Sequence, residues 1–271
     1  MSLSLFFAHG YNKSGTTFLQ QLLDSHPRIN CPSEHHFTTL RMVLTKGLER
    51  YRGTVEAFDS NTARQGIRFD LNRHVDAAFV TLVRSFATVG AGEGVTHIGL
   101  NDNSVAHDIG RLARLFPQAR FVGIVRDPRA VAPSLWHHRL RTEDAFRASP
   151  PERLPFFRAV GKEWGHYAEA MEAARAARPA RLLSVRYEDL VGPERQAAVA
   201  GILDFLACPS TAEEVAAMID ANDFSARQGA GNGFFRSGRS DGWRSELTAG
   251  EIAAVEEYAA PMMARFSYQV G

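Results

Sequence analysis

The stretch Phe6–Leu23, FFAHGYNKSGTTFLQQLL, decides the fold. It runs from an apolar segment, through a loop holding Lys13, Ser14, Gly15, Thr16 and Thr17, into a helix whose Phe18, Leu19, Leu22 and Leu23 recur at helical spacing. A strand, a loop and a helix in that order gather free backbone N–H groups, hydroxyls and an ammonium around one anion. The unpaired N–H groups of the helix N-terminus and the positive end of its dipole favour that anion further. Gly15 lets the backbone approach a phosphate with no Cβ in the way. Gly10 and Gly15 have the separation of a Walker A loop, but Thr16 follows the second glycine and the lysine lies two residues before it. The segment therefore reads as a phosphate-binding loop in a register that removes the phosphate-bridging cation of a generic P-loop kinase or GTPase.

Bulk composition sets the frame around that loop. At 271 residues the chain suits one large α/β domain or two small ones, given about 100–200 residues per domain. Hydrophobic content of 45%, charged content of 23% and a net charge of +1 describe an ordinary globular protein with no global field for nucleic acid or a membrane surface. Any anion site must be built locally. Two cysteines, Cys31 and Cys208, form no disulfide framework and no metal quartet, so a reducing cytoplasm is the expected compartment. No apolar run approaches the length of about 20 residues that spans a bilayer.

Outward from the loop, Leu3–Ala8 reads as a buried strand, and so do Val95–Leu100, Arg120–Val125 and Arg181–Arg186. Helices are predicted over 36–50, 71–89, 104–116, 129–141, 153–178, 193–206, 211–221 and 248–266, the last opened by a Thr248/Glu251 capping box. A polar link is expected around 53–66 and a glycine-rich basic loop over 228–245. Strands alternating with helices predict a three-layer α/β fold of P-loop type, a central parallel sheet with helices on both faces. Ligands of such sheets bind beyond the carboxyl ends of the strands. Lys13, Arg126 and Tyr187 each follow a predicted strand, so all three are expected along one sheet edge.

Four segments in this order resemble the PAPS-dependent sulfotransferase family: KSGTT at 13–17, FVGIVRDPRAVAPSL at 121–135, SVRYEDLVGPE at 184–194 and FFRSGRSDGWRSELT at 234–248. The resemblance covers nearly the whole chain and implies a single sulfotransferase domain over 1–271. It is similar to a bacterial member closer to the Golgi, tyrosylprotein-like type than to the cytosolic phenol sulfotransferases. It implies PAPS as cofactor, PAP as product, no required metal, and transfer of a sulfuryl group to a hydroxyl or amine. Lys13 resembles the lysine that neutralises the leaving 5′-phosphate oxygen, with Ser14, Gly15, Thr16 and Thr17 holding that phosphate. Arg126 and Ser134 match the 3′-phosphate pair, and Arg236 and Gly238 match a loop closing over it. Phe18 and Phe224 stand where the family stacks aromatics on adenine, and Tyr187 where it places a tyrosine near the base. Asn101 departs from the pattern, standing where Golgi-type relatives often carry a lysine.

Two residues are candidates for the base that takes the acceptor proton. Glu34, in SHPRINCPSEHHF, matches the glutamate of Golgi-type members and is preferred. His97, in VTHIGL, resembles the strand-end histidine of the phenol and steroid enzymes. The pairs His35–His36 and His137–His138 suggest no metal site, because adjacent residues of a helix face different ways. The expected acceptor is a small molecule, lipid or glycan, taken by a monomer or homodimer. The competing readings are a P-loop kinase-like enzyme and a non-catalytic PAP-binding relative.

Overall fold

The computed structural model describes residues 3–32, 34–62, 69–89, 91–223 and 241–271. Five parallel strands form one sheet in the order β2-β3-β1-β4-β5, with β1 at Ser4–Gly10, β2 at Ile29–Asn30, β3 at His97–Asn101, β4 at Arg120–Val125 and β5 at Leu182–Arg186. β1 therefore lies at the centre, and the chain winds first to one side of it and then to the other. Ser4 pairs with His97 and Ala8 with Asn101 on one side, and Gly10 pairs with Ile124 on the other. The C-terminal ends of β1, β3, β4 and β5 consequently share one edge.

The period of two in a strand explains the two cores. Phe6 and Ala8 point to one face, where Leu19, Leu22 and Leu23 of α1 (Thr16–Asp24) meet Val199, Ile202 and Leu203 of α9 (Arg195–Leu206) and Met218 of α10 (Ala212–Ala221). Phe7 points to the other and stacks on Phe121 with centroids 5.1 Å apart. There it joins residues of α3 (Leu71–Val89), α5 (Pro128–Thr142), α7 (Arg153–Ala177) and the last helix, Ala249–Arg265. At Gly161 the backbone of that last helix, at the Val255 carbonyl, fills the place of a side chain, so the two helices touch at their backbones. Helices thus flank both faces of the sheet. No described helix is long and apolar enough to cross a membrane.

Several boundaries differ from the sequence reading. α2 runs over Phe37–Thr62, well past residue 50 and into the expected polar link. An Arg52–Glu56 pair at i,i+4 supports the extension, and Gly53, the second glycine of the helix after Gly47, costs only about 1 kcal/mol there. The predicted 104–116 helix is split into a 3₁₀ turn, Asn103–Asp108, and α4, Ile109–Leu115. Asp102 explains the split, since its carboxylate accepts from the Ser104 N–H and hydroxyl and caps the turn. β2 has two residues, too few to show a period. The short helices α6 (Asp144–Ala148) and α8 (Tyr187–Val191) were likewise below the reach of periodicity. The Thr248/Glu251 capping box is present, and a short helix at Trp243–Glu246 occupies the end of the predicted basic loop.

His9 lies wholly buried in β1, its Nδ1 2.9 Å from the Tyr167 hydroxyl. Burial holds its pKa far below the ordinary 6.5, at about 3. The unfolded chain thus binds a proton that the folded one refuses, and stability is complete above pH 6.5 and lost progressively as pH falls towards 3. His9→Gln is expected to flatten this acid limb, whose slope is on the order of 1 kcal/mol per pH unit. Urea unfolding at several pH values checks it, and equal slopes in both proteins would refute the assignment.

Candidate functional site

The shared strand edge opens into a cleft of about 500 Å³ lined by Lys13, Gly15, Thr16, Thr17, Phe18, Glu34, Asn101, Arg126, Ser134 and Tyr187. The loop after β1 builds its floor. The Ser14 N–H donates to the Tyr11 carbonyl at 3.0 Å, and Lys13 and Gly15 both take left-handed backbone, φ 68° and 98°. Left-handed residues beside right-handed ones turn successive N–H groups into a concavity suited to an anion. No side chain caps α1, whose N-cap is Gly15 itself. The hydroxyl of Ser14 is fully buried with no hydrogen-bond partner among the described residues. A buried hydroxyl without a partner is destabilising by roughly 1–3 kcal/mol, which a ligand oxygen would recover.

Tyr187, the first residue after β5, closes the loop from above. A Cβ added at Gly15 would sit 2.6 Å from Tyr187 Cδ2, so only glycine fits under that ring. Phe18 meets the same ring edge-on at 5.9 Å. Arg126, directly after β4, lays its guanidinium 4.4 Å from the Tyr187 centroid and donates from Nη1 to the Lys13 carbonyl at 3.4 Å. Burial pushes the Tyr187 phenol up, against the opposing pull of Arg126.

The arginines of the Arg126-Asp127-Pro128-Arg129 run divide their work. Asp127 caps α5 through the Arg129 N–H and accepts from the Arg129 guanidinium at 2.8 Å. Arg129 also donates to Glu256 of the last helix at 2.9 Å and stacks 4.0 Å from the Trp243 ring. All three charges are buried. Asp127 is therefore committed to Arg129, and Arg126 is turned to the cleft. Ser134 lies on α5 where it too faces the cleft, just after Pro133 inside the helix.

Glu34 stands at the rim. It accepts from Asn103 Nδ2 at 2.9 Å, and the same nitrogen donates to Asn12 Oδ1 at 3.1 Å. The His35 N–H bonds the Asn101 carbonyl at 3.0 Å, tying this segment to the end of β3. Burial lowers the Lys13 pKa, Arg141 lowers it further, and the Glu34 charge opposes both.

His97 is not brought to the cleft. It begins β3, level with Ser4, so it lies at the amino edge of the sheet, roughly 13 Å from Asn101 at about 3.3 Å per residue. Its Nε2 approaches the Leu206 carbonyl at 3.3 Å. At that start the Thr96 and His97 N–H groups both donate to the Arg28 carbonyl. Phe224, Arg236 and Gly238 lie outside the described residues. Among the described residues no group of three His, Cys, Asp or Glu is arranged to hold a metal.

The sequence reading missed Asn12, Asn103, His138, Arg139 and Glu143, which also line the cleft. The polar Asn101–Ser104 run directly after a strand was a signal for Asn103, and the i,i+4 step from Ser134 was one for His138. Burial lowers the His138 pKa, with Lys13 the largest contributing charge. Beyond Glu34 a second cleft, about 580 Å³, shares Asn12, Glu34 and Asn103 with the first.

The sequence profile described as the sulfotransferase family matches residues 6–213. The chain belongs to that family. Protein-tyrosine sulfotransferase 1 of Danio rerio is 26% identical over 192 residues, 70% of this chain and 49% of that protein. A putative protein-tyrosine sulfotransferase of Caenorhabditis briggsae is 26% identical over 83% of this chain and 75% of its own length. The chain spans about half the length of the first of these relatives. Among solved structures, the sulfotransferase domain of the Synechococcus PCC 7002 olefin synthase superposes with a TM-score of 0.63 at 20% identity, covering 100% of this chain and 97% of that one. Mouse sulfotransferase SULT7A1 complexed with PAP gives 0.61 at 16% identity, covering 96% and 84%. The fold likeness spans this sulfotransferase-family chain from end to end.

Replacing Arg129 with alanine leaves two buried carboxylates, Asp127 and Glu256, without their cation. The expected loss is about 3–5 kcal/mol in denaturant unfolding. A loss below about 1 kcal/mol would show that the ion pairs do not hold the last helix.

Proposed function

We propose that this chain is a PAPS-dependent sulfotransferase acting on a hydroxyl or amine acceptor, with residues 1–271 forming one P-loop-type sulfotransferase domain. One observation carries the reading: Lys13, Arg126 and Tyr187, placed at the ends of three different strands, line a single cleft over a buried Ser14 hydroxyl that has no partner among the described residues. The residues present fit PAP. The loop N–H groups, Ser14, Thr16 and Thr17 would hold the 5′-phosphate, while Arg126 and Ser134 would hold the 3′-phosphate, for which a planar guanidinium is suited. Phe18 and Tyr187, both nearly buried at the cleft wall, would flank adenine. The Arg236 and Gly238 loop and Phe224 complete this assignment from the family resemblance.

PAPS supplies an activated sulfuryl group on a phosphate that leaves readily. Glu34 would take the acceptor's hydroxyl proton as the hydroxyl oxygen displaces the 5′-phosphate oxygen at sulfur, with PAP as the leaving group. Lys13 would stabilise the negative charge left on the departing 5′-phosphate oxygen. Glu34 is poised for this because it stands between the two clefts, with the donor on the Lys13 side and the acceptor on the side of Tyr11 and Thr38. The histidine at 97 takes no part, being at the far edge of the sheet. The relatives named protein-tyrosine sulfotransferases support a tyrosylprotein-like kinship, and the free buried cysteines at 31 and 208 suit a reducing cytoplasm.

In a thermal-shift series PAP is expected to raise Tm and Mg-ATP to leave it unchanged; the reverse would favour the kinase reading. Lys13→Ala should lower kcat at least about 10²-fold, the usual scale for a lost charge stabiliser. Glu34→Gln should fall comparably while His97→Gln turns over at near the parent rate, and full activity in the Lys13 or Glu34 variant would remove that residue from the mechanism. Arg126→Ala should weaken PAP at least about tenfold by calorimetry, a guanidinium–phosphate bond being charge-assisted.

A further inference from the structure

The two clefts that meet at Glu34 have opposite electrostatic character. The first carries Lys13, Arg126 and Arg139 against Glu34 and Glu143. The second carries the carboxylates of Glu34, Asp102 and Glu163 beside the imidazoles of His36, His107 and His166, and no lysine or arginine among the described residues lines it. An anion entering the second cleft would lose water and meet three like charges. A cation would meet attraction, and a neutral hydroxyl compound neither.

Glu163 is the member of this set best placed to read charge. Asp102 is spent on the backbone, its oxygens accepting from the Phe37 and Ser104 N–H groups, and Glu34 is held for the acceptor hydroxyl. Glu163 lies on α7 one turn before Tyr167, and the Tyr11 hydroxyl donates to its Oε2 at 2.9 Å. That bond orients the carboxylate and uses one of its roughly four acceptor positions. Tyr11 and Tyr167 stand edge to face at 5.8 Å, giving aromatic surface beside the carboxylate. Aromatic faces together with a carboxylate favour an organic cation over an anion of the same shape.

We infer that the acceptor is a neutral or positively charged hydroxyl compound, and that Glu163 is the specificity residue that discriminates against an anionic one. This rests on the sulfotransferase reading and names the acceptor class of the same site.

Three phenols of one shape test it: tyramine, tyrosol and 4-hydroxyphenylacetate, whose tails are cationic, neutral and anionic. Affinities are measured by calorimetry or ligand-observed NMR on the PAP-saturated protein at pH 8, above the ordinary histidine range. Tyramine and tyrosol are expected to bind at least about fivefold more tightly than 4-hydroxyphenylacetate, the scale of a partly screened charge contact. Glu163→Gln keeps an acceptor for the Tyr11 hydroxyl and should bring the three within about twofold, whereas Glu163→Asp should retain the order. Binding of the anion as tight as that of the others, an order unchanged in Glu163→Gln, or no binding by any of the three overturns the inference. Failure of PAP itself to saturate the protein is a separate result that strikes the sulfotransferase reading, and this inference with it.

Discussion

The ring of Tyr187 presses on the one loop residue that has no side chain. Gly15 adopts a left-handed backbone, φ 98°, and a Cβ there would sit 2.6 Å from that ring. The contact joins β1 to β5, two strands that do not pair with each other. Arg126 from the strand between them covers the other side of the arrangement, stacking on the ring and donating to the Lys13 carbonyl. Three strand ends are thereby held together by one aromatic side chain, and the positions of Lys13 and Arg126 in the donor cleft follow from it. Lys13 keeps a left-handed backbone that L-residues seldom adopt, which requires this much surrounding support.

Below the cleft, a buried ion-pair group does a different job with similar residues. Arg129 binds Asp127 and Glu256 and stacks on Trp243, so one guanidinium fixes the start of α5, the short helix at Trp243–Glu246 and the last helix. Removing an ion from water is expensive, and such a group is stable only when each charge is matched and hydrogen-bonded. Here each is. The four-residue run Arg126–Arg129 thus supplies one charge to the cleft and a second to the scaffold. Trp164 adds a further anchor by donating to the Arg126 carbonyl at 3.0 Å.

Glu34 owes its place to long-range contacts instead of to its own element. It precedes α2 in an irregular segment whose backbone is pinned to the Asn101 carbonyl and to Asp102, and its carboxylate is held by Asn103. The polar turn after β3 thus positions a residue almost seventy places earlier in the chain. Its effect is to set one carboxylate between a cleft rich in cations and a cleft rich in carboxylates. A proton acceptor at such a boundary lies within reach of both.

Much of this was legible in the chain because local chemistry specified it. The apolar run, the Lys13–Thr17 loop and the helical spacing after it dictated strand, anion loop and helix, and the alternation of strands with helices dictated a parallel sheet. The placement of Arg126 and Tyr187 at strand ends followed from the same pattern. The bounds of β3 did not: VTHIGL is equally strand-like throughout, and it is the pairing of His97 with Ser4 and of Asn101 with Ala8 that makes His97 a first residue and Asn101 a last. Nor could the sequence assign Asp127 to Arg129, since that choice depends on Glu256 arriving from the last helix. The sign of the second cleft was equally hidden, because Tyr11, Asp102 and Glu163 come from distant stretches and share a wall only when α7 packs across the sheet. Residue order determines what each segment can form and which atoms could bind an anion; the pairing of charges and the neighbours of each side chain depend on burial and distance, which exist only after the chain has folded.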